Sequence, residues 1–113
     1  MSAIDESRMT PKGVIYEVNI EVDASAHDEY RVWLHDHIAQ ILALPGFTGA
    51  KVFEVLEPPP SAGRVGLCVQ YTLKSREALD DYLRDHAPRL RAEGVSRFGG
   101  RFQATRRVLH GVR

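Results

Sequence analysis

Disulfides, long apolar runs and a surplus of charge are all missing from this chain of 113 residues. Cys68 is the only cysteine, which excludes an internal disulfide and a thiolate-rich zinc site. No apolar run reaches the roughly 18 residues that a membrane-spanning helix needs, so we expect no membrane partner. The first twelve residues, MSAIDESRMTPK, lack the apolar stretch of a signal peptide, and we predict a cytoplasmic protein.

Net charge is also missing, because 15 basic residues balance 15 acidic ones. This balance argues against a protein that coats a polyanion. Residues 84–113 nevertheless hold eight arginines and two acids, a charge of +6 that leaves −6 for residues 1–83. The last strand of the predicted fold pairs with an acidic first strand, so we expect internal compensation, with Arg107 opposite Glu17 or Glu21. No nucleic-acid motif supports the alternative of a nucleic-acid patch, and none is expected as a partner.

Hydrophobic periodicity predicts one domain over residues 13–110, preceded by a disordered tail over residues 1–12. Alternating patterns predict strands and a period near 3.6 predicts helices, in the order βαββαβ. The predicted strands cover residues 14–22, 49–57, 65–73 and 101–109, and the predicted helices cover residues 25–44 and the segment that follows Ser75.

Local signals predict where the helices begin and end. Asp23 or Ser25 can cap the first helix, and Ser75 can cap the second. Pro88 is expected to kink the second helix or restart it, because proline has no N–H group to donate. Gly94 is a natural residue to end it.

An internal sequence repeat supports a duplicated arrangement of strands and helices. The segment Trp33-Leu34-His35-Asp36-His37 resembles Tyr82-Leu83-Arg84-Asp85-His86, which lies 49 residues later. Two βαβ halves with right-handed crossovers give an α+β, ferredoxin-like sandwich. We therefore predict a four-stranded antiparallel sheet with two helices on one face.

The other face of that sheet is predicted to be uncovered and partly apolar. It carries Ile15, Phe53, Val55 and Leu109 among Glu17, Asn19, Gln70 and Thr72. Such a face is too apolar to stay in water and too polar for a deep core. We expect it to pack against a second copy, which gives a homodimer in which two sheets close into an α/β barrel.

Three segments carry a resemblance to a known family: YEVNIEVD, WLHDHIAQILALPGF and YLRDHAPRLRAEGVSRFGGRF. Over about residues 14–109 the chain resembles the bacterial domain of unknown function family 4286, which belongs to the dimeric α/β-barrel superfamily. The resemblance implies the fold and a dimer, but no activity. The superfamily includes cofactor-independent monooxygenases of the antibiotic-biosynthesis type, haem-binding and haem-degrading proteins, and ligand-binding proteins.

His37 and His86 are the candidate catalytic residues. Each is predicted near the middle of an apolar helical stripe that faces the sheet, and each follows an aromatic residue by four positions. A buried imidazole can act as acid, base or axial ligand near neutral pH. The alternative, which the duplication favours, is a core histidine that is hydrogen-bonded to a carbonyl or a tyrosine.

Aromatic residues and one arginine are the candidate ligand-binding residues. The aromatic ones are Tyr16, Trp33, Tyr71 and Tyr82, which would either line a pocket for a flat ligand or fill the core. Arg106 is predicted on the helix side of the last strand, where it would hold a carboxylate or phosphate, or else be solvated.

These residues favour a homodimeric domain that binds a small aromatic or anionic molecule between helices and sheet. The first alternative is a cofactor-independent monooxygenase that acts on an aromatic substrate, so whether the chain is an enzyme stays open. The second alternative is a haem protein, with His86 or His37 as axial ligand and Asn19 on the first strand. We expect no metal site, because two histidines are too few ligands.

Overall fold

Strands and helices alternate along the chain in the predicted order in this computed structural model, which describes residue 5 and residues 8–112. The strands are β1 (Val14–Asp23), β2 (Phe47–Glu54), β3 (Arg64–Leu73) and β4 (Phe102–His110), and the helices are α1 (His27–Leu42), α2 (Arg76–Asp85) and α3 (Ala87–Phe98). Half of the predicted tail, residues 1–4 and 6–7, lies outside the described residues.

One antiparallel sheet organises the domain, with the strand order β2-β3-β1-β4. Val18 at the centre of β1 lies opposite Val69 of β3 and Arg106 of β4. The two halves therefore interleave, and the predicted ferredoxin-like fold is confirmed. The alternating pattern that predicted β1 is reflected in its burial, because Tyr16, Ile20 and Val22 are all buried on the face that carries the helices.

The second predicted helix is two helices. Pro88 stands in the first turn of α3, which confirms the predicted restart. The prediction that Gly94 ends the helix is wrong, because α3 continues to Phe98 and Gly99, with φ of 54°, follows it. Gly94 instead lets the backbone of α3 lie close to the Trp33 ring of α1, since a Cβ atom there would lie 3.0 Å from that ring.

The capping predictions have different outcomes at the two helices. Ser75 is confirmed as the N-cap of α2, because its Oγ accepts a hydrogen bond of 3.1 Å from the backbone N–H of Ala78. Neither Asp23 nor Ser25 caps α1 through its side chain, because Asp23 precedes a short 3₁₀ turn, Ser25 lies within it, and the N-cap position of α1 falls on Ala26. Asp23 pairs with Arg64 instead, at 3.2 Å between Oδ1 and Nε.

A buried carboxylate lies on the uncovered face of the sheet. Glu17 is only 4% exposed, and it accepts hydrogen bonds from Arg107 (2.7 Å), Asn19 (2.8 Å) and Gln70 (3.1 Å). The predicted pairing of Arg107 is thus confirmed, with Glu17 as its partner. Glu21 accepts instead from the backbone N–H of Ser61 at 2.8 Å.

Candidate functional site

A small cavity lies between the sheet and helices α1 and α3. Its volume is about 40 Å³, room for about three water molecules. Seventeen residues line it: Tyr16, Val18, Ile20, Tyr30, Trp33, Leu34, His37, Ile41, Val69, Tyr71, Tyr82, Leu90, Arg91, Gly94, Phe102, Ala104 and Arg106. From the sequence, the space between helices and sheet could be either a pocket or a filled core. Side chains fill most of it, and the small cavity that remains is polar-tipped, meaning that aromatic side chains with polar ends and two arginines border it.

The cavity brings together every predicted ligand-binding residue and one of the two predicted catalytic residues. Tyr16, Trp33, Tyr71, Tyr82, Arg106 and His37 all line it. The secondary structure explains why these residues meet. Alternate residues of a strand point to the same face, here the face that carries the helices, and the two α1 residues lie on one face of that helix.

His37 presents an open hydrogen-bonding atom to this region. Its ring stacks on Trp33, with centroids 4.5 Å apart and planes at 21°. Its Nδ1 is buried and has no hydrogen-bond partner in the described part of the chain. Burial lowers the pKa of His37 below 6.5; nearby Glu93 opposes this shift and Arg106 adds to it. The imidazole is therefore neutral at pH 7 and able to accept or donate one proton.

His86 does not line the cavity with His37, so the prediction that it lies beneath the helices is wrong. It stands between α2 and α3, where it is the N-cap residue of α3. Its Nδ1 lies 3.2 Å from Arg89 Nη2, and it lines a shallow groove with Lys74 and Asp81 outside the cavity. The physical reason is the restart at Pro88, because α2 ends at Asp85 and its helical phase stops there.

Three tyrosines form a cluster of rings in the cavity wall, and burial keeps the hydroxyl groups of Tyr71 and Tyr82 protonated. The Tyr16 ring lies 6.0 Å from both Tyr71 and Tyr82, measured between centroids. Burial raises the pKa of Tyr82 to about 12, and burial, Tyr82 and Tyr16 together raise the pKa of Tyr71 further. These groups are hydrogen-bond donors over the whole physiological range of pH.

Arg91 is a cavity residue that sequence reasoning missed. Its Nη2 donates a hydrogen bond of 2.8 Å to the hydroxyl oxygen of Tyr16. Counting from the restart at Ala87 would have found it, because Ala87, Leu90, Arg91, Gly94 and Phe98 follow the spacing of one helical stripe.

The residues do not fit a haem. Asn19 donates its hydrogen bond to Glu17 on the far face of the sheet, and His86 lies outside the cavity. The cavity is also far smaller than the 300–1,000 Å³ typical of cofactor sites. Over the described residues, no group of three potential ligands is arranged to hold a metal ion, and no helix could span a bilayer.

Comparison with known proteins gives a family and a fold. Residues 13–112 match the family described as Domain of unknown function (DUF4286). No curated protein matches the chain. Solved structures with similar folds include SnoaB, a cofactor-independent oxygenase from Streptomyces nogalater, at a TM-score of 0.64 and 11% identity over 89% of this chain and 95% of that one.

Two further solved structures have similar folds, and neither is named as an oxygenase. An ethyl tert-butyl ether d (ethd) family protein from Bacillus halodurans has a TM-score of 0.59 and 17% identity over 88% of this chain and 99% of that one. A conserved protein from Methanosarcina mazei has a TM-score of 0.58 and 18% identity over 90% and 93%. At these identities the likeness establishes the ferredoxin-like fold alone.

Proposed function

This chain belongs to the DUF4286 family, and we propose that it works as a homodimer that binds a small aromatic molecule between its helices and its sheet. The observation that carries the proposal is the unpartnered Nδ1 of His37 beside an aromatic, polar-tipped cavity. A packed core would place methyl groups there, because a buried polar atom without a partner costs about 1–3 kcal/mol.

The cavity must widen before an aromatic ring can enter it. Tyr16 and Tyr71 are buried in the wall and are held by neighbouring strands. The opposite side of the cavity is closer to solvent, because Trp33 and His37 are only half-buried and Arg106 is exposed. A ligand therefore displaces the Trp33–His37 side of the cavity and leaves the sheet side unchanged.

The uncovered sheet face supports the homodimer. Phe53 is 46% exposed there, and Ile15 and Leu109 remain half-buried without a covering layer. Glu17 lies among them with three hydrogen bonds already made, so burying it further leaves no unpaired carboxylate. A second copy offers the same face and needs no other partner.

The single tryptophan gives a direct test of ligand binding. We expect 2-naphthol, added up to about millimolar concentration, to shift the indole N–H resonance of Trp33 in a ¹⁵N-labelled sample. His37→Ala should weaken this binding about threefold, because it removes one hydrogen bond. His35→Ala is the matched control, since the His35 side chain is 86% exposed. An indole resonance that does not move would contradict the proposed site.

The second candidate function is a cofactor-independent monooxygenase, and the neutral His37 at an aromatic site is the observation that favours it. His37 would remove a proton from an anthrone-like substrate, whose carbanion then reduces O₂. One oxygen atom becomes the new ring carbonyl and the other leaves as water, with loss of two substrate hydrogens.

An oxygen electrode with anthrone tests this second function. Consumption above the autoxidation rate should fall in His37→Ala and persist in His35→Ala. Oxygen consumption should also decrease when the pH is lowered below 6.5. The pKa of His37 lies below that value, so only a more acidic solution converts this base to its inactive cation. Consumption equal to that of anthrone alone would reject catalysis and leave ligand binding as the function.

A further inference from the structure

The residues that line the cavity include positive charges and no negative charge; Glu93, whose charge acts on His37, does not line it. Among the seventeen lining residues, two are arginines, Arg91 and Arg106, and none is aspartate or glutamate. Arg91 and Arg106 are both exposed to solvent, and two guanidinium groups that border one cavity favour an anion between them. This imbalance points to the charge of the molecule that the site takes.

Arg106 has its guanidinium group free. It forms no hydrogen bond or ion pair with any residue that the structure describes, whereas Nε of its neighbour Arg107 donates to Glu17. Its charge nevertheless reaches the cavity, since it opposes the rise in the pKa of Tyr30 and Tyr82. An unpaired arginine offers the planar pair of N–H donors that matches a carboxylate.

Arg91 acts through Tyr16 as well as directly. Because the Tyr16 hydroxyl oxygen accepts the N–H of Arg91 at 2.8 Å, its own O–H remains available to donate. The other guanidinium N–H groups of Arg91 form no hydrogen bond with a described residue. The wall thus offers two guanidinium groups and one oriented hydroxyl donor.

We propose that the ligand is an aromatic carboxylate, whose carboxylate group Arg91 and Arg106 hold while Tyr16 donates a third hydrogen bond. This inference rests on the proposed function and names the chemical class of ligand for that site. The aromatic part of the ligand takes the side lined by Trp33 and His37, where the rim can move.

A pair of probes with the same rings and different charge tests it. We expect 2-naphthoate to bind at least about tenfold more tightly than its neutral isostere 2-naphthamide at pH 7.5, by calorimetry and by the Trp33 indole resonance. Arg106→Gln and Arg91→Gln should each reduce this preference to about threefold or less. Arg31→Gln is the control with the same loss of charge, because Arg31 is exposed on α1 and does not line the cavity.

Each outcome decides between this inference and the proposed function. Equal binding of the two probes would overturn the carboxylate inference and leave the aromatic site standing. A preference for naphthoate that survives both arginine substitutions would overturn the assignment to Arg91 and Arg106. If neither probe moves the Trp33 resonance, the proposed function fails and this inference fails with it. Both arginines are exposed, but only Arg91→Gln removes a hydrogen bond, the one to Tyr16; the Arg106 variant should therefore fold and keep the test valid if Arg91→Gln does not.

Discussion

Phe53→Lys is expected to weaken dimerisation about 100-fold or more, so that the protein becomes a monomer at micromolar concentration. Phe53 stands on β2 in the row that continues through Cys68 and Asn19 to Thr105 across the uncovered face. In a twofold interface each substitution occurs twice, and each ammonium group loses its water without gaining a counterion. The cost of burying an unpaired charge is several kcal/mol, which exceeds what most single contacts contribute.

Val52→Lys is the matched control for this prediction. Val52 precedes Phe53 on the same strand and is 51% exposed, close to the 46% of Phe53. Its side chain points to the helix side instead, where it borders a groove with Leu34 and Leu67. The two substitutions therefore add the same charge at the same exposure to opposite faces, and only one face is proposed to meet a second copy.

Sedimentation or light scattering of the wild-type chain and both variants measures the result. The wild-type mass should be twice the chain mass of 12.7 kDa, and Phe53→Lys should bring it to 12.7 kDa. A wild-type mass of 12.7 kDa at micromolar concentration would overturn the homodimer. Dissociation by Val52→Lys with an intact Phe53→Lys dimer would place the interface on the helix side.

The fold was predictable because its signals are local and repeat. Alternation over β1 placed Tyr16 and Val22 on one face without reference to any other strand. The Ser75 cap and the Pro88 restart depend on chemistry within one turn of the chain. Once two βαβ halves were assigned, the handedness rule left one sheet order to expect.

The details of the site were less predictable because they depend on phase and on side-chain packing. One restart at Pro88 moved His86 out of the cavity and brought Arg91 into it. The choice of Glu17 over Glu21 as partner of Arg107 follows from strand register, which a sequence pattern does not fix to one residue pair. The cavity volume depends on rotamers, such as the stacking of Trp33 on His37.

Glu17→Gln is expected to lower the free energy of unfolding by about 2 kcal/mol at pH 7, the scale of a lost charge-assisted hydrogen bond in a buried site. The amide keeps the shape of the carboxylate but puts an N–H₂ group in place of one oxygen. There it meets the donors of Arg107 and Asn19 at Oε1, or the donor of Gln70 at Oε2. Because the folded state pairs this carboxylate so fully, the loss should exceed that of other single surface substitutions.

The dependence on pH separates this account from a simple packing defect. Arg107 first of all, then the hydrogen bonds from Asn19 and Gln70, hold the pKa of Glu17 below 4.5, and burial only partly opposes them. A lowered folded pKa gives stability that is fully present above pH 4.5 and is lost as the pH falls through the folded value. Protonated Glu17 resembles glutamine, so the gap between wild type and Glu17→Gln should close in acid.

Urea unfolding at pH 7 and at about pH 3 measures both parts of this prediction. The protein concentration is matched, because the proposed dimerisation would make stability depend on concentration. Glu54→Gln is the control, since Glu54 is exposed on β2 and makes no ion pair with a described residue. A deficit for Glu17→Gln that stays constant from pH 7 to pH 3 would show that shape or packing, and not the ionised carboxylate, stabilises this face. The uncovered face would then lack the preformed charge network that lets it be buried against a second copy.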